Sequence, residues 1–313
     1  MPISVEYRPA LTTAGVLTRV ELDGWAAGEG GPGGTGTLDA HGSEWGLGTD
    51  SSPGGVEGWQ TSPGIRLSHR VRPGEHGVFD GPAQMTERVI MLEGSCRSAD
   101  FNAAQRSRDI LVSVMGDSQL GMSTLTVYEQ GRPTKQARVR RSAESKTLWL
   151  SDTFFLWSMI LVAPDPRRYA AAESTQAANL PGAGTGGLVF PLVFPLTFGS
   201  GAAGGSLLLD NSGTIATPVV WEILGPVDAP VITNIGTGQR LEFASTFSLG
   251  SGETVTINSD TKTVLQGVTN RRPDLVVAQW WNLATGPNQI QFSGASGSPT
   301  VAQLTATWRD AWT

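Results

Sequence analysis

Between Ser206 and Trp308, short alternating apolar runs are cut by turn signals at close intervals, which leaves room for strands but not for helices. The pattern predicts strands at Ser206–Asn211, Thr217–Leu224, Ala229–Asn234, Arg240–Phe243 and Glu253–Asn258. It predicts further strands at Thr263–Gln266, Gln279–Leu283, Asn288–Phe292 and Gln303–Trp308. Turns are signalled at Asn211–Gly213, Gly236–Gly238, Leu249–Gly252, Asn258–Asp260 and Thr285–Pro287. About nine short strands in roughly 110 residues is the pattern of a β-sandwich.

The N-terminal half is also strand-rich. Val16, Thr18, Val20 and Leu22 alternate with Leu17, Arg19 and Glu21, as in a strand with one apolar face. Glu87–Glu93, Ser123–Glu129 and Thr134–Arg140 read in the same way, and Leu148–Ala163 is one unusually apolar run. One helix is predicted, from Asp100 to Met115. Asp100 suits the N-cap, Ala104, Ser107, Ile110, Leu111 and Val114 share a face, and Gly116 can end it. Pro164 and Pro166 then stop the domain.

Two segments break the pattern. From Gly28 to Gly64 the chain is rich in Gly, Ser and Pro and is expected to lie outside the core, as an insertion ordered against a neighbour or ordered only on assembly. Trp45 and Trp59 within it are candidate interface residues. Residues 170–205 read as a connector, with an apolar stretch, Leu188–Leu196, interrupted by Pro191 and Pro195. Phe190 and Phe194 there are the other candidate interface residues. The expected organisation is mainly β: an N-terminal β-sandwich with one helix over 1–169, the connector, and a second sandwich over 206–313.

Charged residues are 16% of the chain, against about a quarter in an ordinary globular surface. So sparse a charge suggests that part of the surface faces other subunits. The net charge of −6 argues against nucleic acid as a gripped partner, because phosphate contacts need clustered cations. Arg138, Arg140 and Arg141 read as one basic strand end. A single cysteine, Cys96, excludes an internal disulfide and fits synthesis in a reducing cytosol. Met1–Ala10 has no apolar core of a signal peptide, and no run approaches the ~18 apolar residues of a membrane helix.

No catalytic, metal or cofactor site is predicted. His41, His69 and His76 lack ligand spacing, and Cys96 has no base nearby in sequence. Neither a nucleophile elbow nor a phosphate-binding loop is present. The competing chemistry is carbohydrate binding by the C-terminal domain. Trp280 could stack on a sugar ring with the amides of Asn282 and Asn288 beside it, while Trp281 falls on the core side.

A resemblance runs through the order of these pieces. Asp210–Gly213, Pro218, Ile223–Gly225, Pro230–Ile232, Gly250–Ile257, Trp281–Ile290 and Trp308–Trp312 follow one another as in the C-terminal domain of siphophage tail components. The opening strand, the helix and the closing Ala163–Tyr169 agree with the N-terminal domain of the same distal tail protein group, as found in phages of actinobacteria. The resemblance implies an N-terminal sandwich carrying a helix and a galectin-like C-terminal sandwich. It also implies a hexameric ring made in the host cytoplasm and built into the virion at the tail tip. Such a ring joins the tail tube protein to hub or baseplate proteins and leaves a channel for DNA. In this family the N-terminal domain commonly extends a loop or hairpin that clasps the neighbouring subunit. The Gly-rich 28–64 insertion is where this sequence departs from the family.

Overall fold

The structure is a computed structural model and describes residues 17–22, 25–28, 37–48, 55–116, 121–181, 205–295, 298 and 300–313. Two compact units emerge, Met1–Ala171 with Thr313, and Ala172–Trp312.

In the first unit, β1 (Leu17–Leu22), β2 (Trp25–Gly28), β3 (Thr37–Leu38), β4 (Glu44–Leu47) and β5 (Val56–Glu57) come first. A paired excursion follows, made of β6 (Ile65–Leu67), β7 (Arg70–Val71), β8 (Val78–Phe79) and β9 (Ala83–Met85). The chain then forms β10 (Arg88–Arg97), α1 (Phe101–Ser113), β11 (Ser123–Glu129) and β12 (Lys135–Arg141). The hairpin β13 (Lys146–Ser151) and β14 (Phe154–Ala163) precedes β15 (Arg168–Ala170). One antiparallel sheet runs β2-β1-β11-β12-β14-β10-β4-β3, with β5 on β10, β13 on β14 and β15 on β12. It is a single sheet folded over rather than two separate ones. Its two ends curl together until the rings of Trp25 in β2 and Trp45 in β4 meet edge to face at 5.5 Å.

Alternation along β14 builds the core. Phe155, Trp157, Met159, Leu161 and Ala163 point inward, facing Ile90, Leu92 and Cys96 of β10. Trp157 stands 5.0 Å from Trp25 and 6.0 Å from Trp45, so three indoles form the centre. The large ring of Trp157 needs room on the neighbouring strand. Gly94 is its register partner, and a Cβ there would come within 2.6 Å of the indole and 2.0 Å of the Gly46 carbonyl.

The helix begins where Asp100 accepts the Ala103 N–H at 2.8 Å. It buries Ala103, Ala104, Ser107 and Leu111, whereas Ile110, expected on the same face, is only half-buried. At its other end the Arg141 guanidinium donates to the carbonyls of Val112 and Val114 at 3.0 and 3.2 Å. A cation there satisfies free acceptors and suits the negative end of the helix dipole.

Two expectations are corrected here. The run Leu148–Ala163 is a hairpin, because Asp152 and Thr153 turn between β13 and β14. The described part of the 28–64 segment is not outside the core. Trp45 pairs with Cys96 across β4 and β10, and both Trp45 and Trp59 are 0% exposed. Their burial is long-range: glycines on either side let β4 and β5 lie flat on β10, where the indoles fill the sheet's interior.

The second unit contains β16 (Ser174–Asn179), β17 (Ser206–Asn211), β18 (Val219–Leu224), β19 (Val227–Asp228) and β20 (Val231–Asn234). It continues with β21 (Arg240–Phe243), β22 (Ser248–Leu249), β23 (Thr254–Asn258), β24 (Thr263–Gln266) and β25 (Thr269–Asn270). A 3-10 turn, Arg272–Asp274, leads to β26 (Leu275–Ala278), β27 (Gly286–Ser293), β28 (Gln303–Trp308) and β29 (Ala311–Trp312). One sheet runs β16-β28-β18-β23-β24-β25 and the other β17-β27-β20-β21-β26. Their inner faces share one core, with Trp221, Ile223, Ile257 and Leu304 from the first and Leu209, Ile232, Ile290 and Phe292 from the second. This is a β-sandwich. Part of the expected connector therefore belongs to it, since β16 pairs with β28 along its whole length. The strand predicted at Gln279–Leu283 is displaced. Here β26 ends at Ala278, the chain then leaves the sheet, and Leu283 alone bridges to Thr217. Phe190, Phe194 and the Leu188–Leu196 stretch lie outside the described residues.

Candidate functional site

The most unusual surface of the first unit is the excursion at residues 65–85. Ile65 pairs with Met85, Leu67 with Ala83, Arg70 with Phe79 and Val71 with Val78, giving a two-stranded arm. Every residue in its four strands is exposed. Ile65, Leu67, Val71, Val78, Phe79 and Met85 are between 42% and 76% exposed. Phe79 finds a local partner in the Arg72 guanidinium, 4.9 Å over its ring. A lone hairpin is at best marginal in water, and this one has no core on either face.

Its root is firmly held. Thr86 N–H donates to the Gly64 carbonyl at 2.8 Å, closing the base of the arm. Immediately beyond, the buried Arg88 guanidinium donates to the carbonyls of Gly58, Trp59 and Thr61 at 2.8, 3.1 and 2.6 Å, and to Pro166 at 2.9 Å. Burial, with the charge of Arg168 nearby, brings its pKa down to about 10, so it stays a cation. Beneath it, the Trp59 indole donates to Glu129 at 3.2 Å, and Glu129 also faces Lys135 at 3.7 Å.

The outward face of the sheet carries apolar pairs on either side of a polar row, Glu93, Ser158 and Lys146. Val89 stands opposite Val162, Met91 opposite Ile160, and Leu148 opposite Leu156. Val89 is 52% and Leu148 60% exposed. At the start of α1 lies a cavity of about 440 Å³ with Phe101, Trp149 and Leu150 in its walls, and Trp149 there stands beside the inward-pointing Phe155.

In the second unit, a cavity of about 250 Å³ opens between the Ser259–Lys262 turn and Trp280–Asn282. Trp280, half-buried, and Asn282, exposed, are the two of the three predicted sugar contacts that line it. Asp260 and Lys262 lie in the opposite wall. Trp281, only 7% exposed, packs 6.0 Å from Trp221, on the core side as predicted. Asn288 is the exception. Its buried amide donates to the carbonyls of Ala284 and Gly286 at 2.9 and 2.8 Å and accepts from Ala284 N–H at 2.9 Å. Those bonds close a turn and leave the side chain no part in the cavity. Sequence reasoning missed Asp260 and Lys262, which lie some twenty residues from Trp280 and meet it only through the fold.

His41, His69 and His76 are exposed. Among the described residues, no group of three or more His, Cys, Asp or Glu could hold a metal ion. Cys96 is fully buried, and burial pushes its thiol up to about 12. It is a neutral packing group rather than a nucleophile. No helix among the described residues is long and apolar enough to cross a membrane.

Residues 212–312 match the family described as siphovirus-type tail component, C-terminal domain. The second unit is thus similar, over most of its length, to the C-terminal domain of siphovirus-type tail components. The fold of the chain is that of SPP1 Dit, described as a paradigm of the hub adsorption apparatus in phages infecting Gram-positive bacteria. The likeness covers 95% of this chain and 100% of that one at 11% identity, with a TM-score of 0.62. Two structures of the phage P2 baseplate in its activated conformation, with Ca and with Sr, also align. Each covers 81% of this chain and 90% of its own at 12% identity, with TM-scores of 0.45 and 0.44. No curated protein sequence matches the chain significantly.

Proposed function

We propose that the protein is a ring-forming subunit at the distal end of a siphophage tail, a hexamer joining the tail tube protein to the tail-tip hub or baseplate and leaving a channel for DNA. The observation that carries this reading is the arm at residues 65–85. A closed ring needs each copy to offer two different patches, one for the neighbour on each side. The arm is one patch, with exposed apolar side chains along its strands; the outward face of β10, β14 and β13 is the other. The arm begins just after the 28–64 segment, and its exposed apolar strands support a clasping role for this stretch of chain. The net charge of −6 suits a channel through which phosphate must slide without being held.

Mass photometry of the purified 33.0 kDa chain tests the reading. The expected species is six copies, and replacing residues 65–85 by a short Gly linker should return it to single copies. A full-length chain that stays monomeric at micromolar concentration would sink the ring.

A second reading, attachment to host surface glycans through the C-terminal domain, is favoured by one observation. The cavity at Trp280 and Asn282 combines an aromatic wall with amide and charged groups.

A further inference from the structure

We propose that the cavity bounded by the Ser259–Lys262 turn and Trp280–Asn282 binds a single neutral, hydroxyl-rich pyranose unit. The proposal rests on the carbohydrate reading of the C-terminal domain and adds to it the place and the class of ligand.

Size sets the first limit. At about 250 Å³ the cavity falls just below the range of about 300–1,000 Å³ typical of drug-sized ligands. One sugar ring fits such a space and an oligosaccharide does not, so any longer glycan must enter by one residue.

The lining sets the chemistry. Asp260 offers an acceptor of two hydroxyls, Lys262 a donor, and Asn282 both. Carboxylate and ammonium cancel, so the walls favour a ligand without net charge. Trp280 supplies a half-buried ring for the apolar C–H face of a pyranose.

The walls are also held in place before any ligand arrives. Asn258 accepts the N–H groups of Asp260 and Thr261 at 2.9 and 3.1 Å, fixing the turn. Lys262 sits at φ +55°, a conformation that side chains rarely adopt. Arg272 donates to the Lys262 carbonyl and stands 5.2 Å over the Trp280 ring. It is not among the lining residues, so one guanidinium links both walls from outside the cavity. Walls fixed in advance lower the ordering cost of binding a small polar ligand.

The test is saturation-transfer NMR on the full chain with methyl glycosides of glucose, galactose, mannose and N-acetylglucosamine, and in separate arms with soluble neutral polysaccharides of the same sugars. The expected result is transfer to the ring protons of at least one glycoside, with a Kd on the order of 1 mM for so small a ligand. Trp280→Ala should weaken it at least tenfold and Asn282→Ala at least threefold. Asn282 is exposed, so its variant keeps the test decisive if Trp280→Ala misfolds. Binding that both variants retain in full overturns this site and leaves the carbohydrate reading standing. Binding of a polysaccharide but of no glycoside overturns the single-unit size limit. No transfer to any glycoside or polysaccharide overturns the site and the reading together.

Discussion

The carboxylate of Asp39 accepts the Ser107 hydroxyl at 2.5 Å, tying the turn before β4 to the buried face of α1. The same oxygen accepts the Trp45 indole N–H at 3.1 Å, and the other accepts the backbone N–H groups of His41 and Ser43 at 2.8 and 3.0 Å. Burial by itself raises the carboxyl pKa, but these hydrogen bonds, led by that of Ser107, outweigh it and hold Asp39 below its ordinary value of 3.8. The folded state therefore favours the ionised form. Its stabilisation is fully present above 3.8 and is lost as pH falls through the lower folded value. Asp39→Asn should cost about 1–3 kcal/mol near neutral pH. Urea midpoints of the two proteins should converge as the pH is taken below 3.8; a gap that widens there would contradict the assignment.

Trp45 offers a direct test of core against surface. Its ring touches Trp25, Phe155 and Trp157 at 5.5, 5.9 and 6.0 Å. Trp45→Ala should lower stability by about 3–5 kcal/mol, read from the denaturant midpoint at constant slope. A loss below about 1 kcal/mol accompanied by a change in oligomeric mass would return Trp45 to the interface.

Cys96 should be almost inert while the protein is folded. A thiol at about 12 rather than 9.0 carries on the order of a thousandfold less thiolate at pH 8. Iodoacetamide labelling in buffer and in concentrated urea, followed by mass spectrometry, measures the contrast. Equal rates would show that the β10 interior is open to reagent.

Arg88 holds four carbonyls that flank the arm and close the domain. Arg88→Met removes every one of those donors and should destabilise the first unit by at least about 2 kcal/mol. Amide exchange at residues 58–64 should accelerate with it, while the second unit keeps its protection. Unchanged exchange at the arm's root would show that the guanidinium is not what anchors it.

Much of this architecture was legible in the sequence, and the exceptions share a cause. The predicted strands Ser206–Asn211, Arg240–Phe243, Thr263–Gln266 and Gln303–Trp308 coincide with β17, β21, β24 and β28. They are local patterns, alternation closed by turn residues. The helix was equally readable, because Asp100 caps it from the adjacent residue. By contrast, β16 has the sequence Ser-Thr-Gln-Ala-Ala-Asn, with neither face strongly apolar, and exists because β28 pairs with it. Trp45 and Trp59 sit among glycines and are core only through strands far along the chain. At the cavity beside Trp280, Trp280 and Asn282 could be named in advance, while Asp260 and Lys262 could not, since the fold alone brings that turn to them.

The pairing of Gly94 with Trp157 has a consequence for how the chain finds its alignment. From Phe154 to Ala163, β14 is apolar on both sides except at Ser158, so water-hating against water-loving gives little instruction about which side faces in. A slip by one position would turn in Phe154, Leu156, Ile160 and Val162, with Ser158 the one polar side chain among them. What distinguishes the native alignment is a vacancy of matching shape. Gly94 is the one glycine in β10, and a slipped strand would press the indole against Glu93 or Ser95. Register in this sheet is therefore written in a missing side chain, and any residue with a Cβ at position 94 would erase the address.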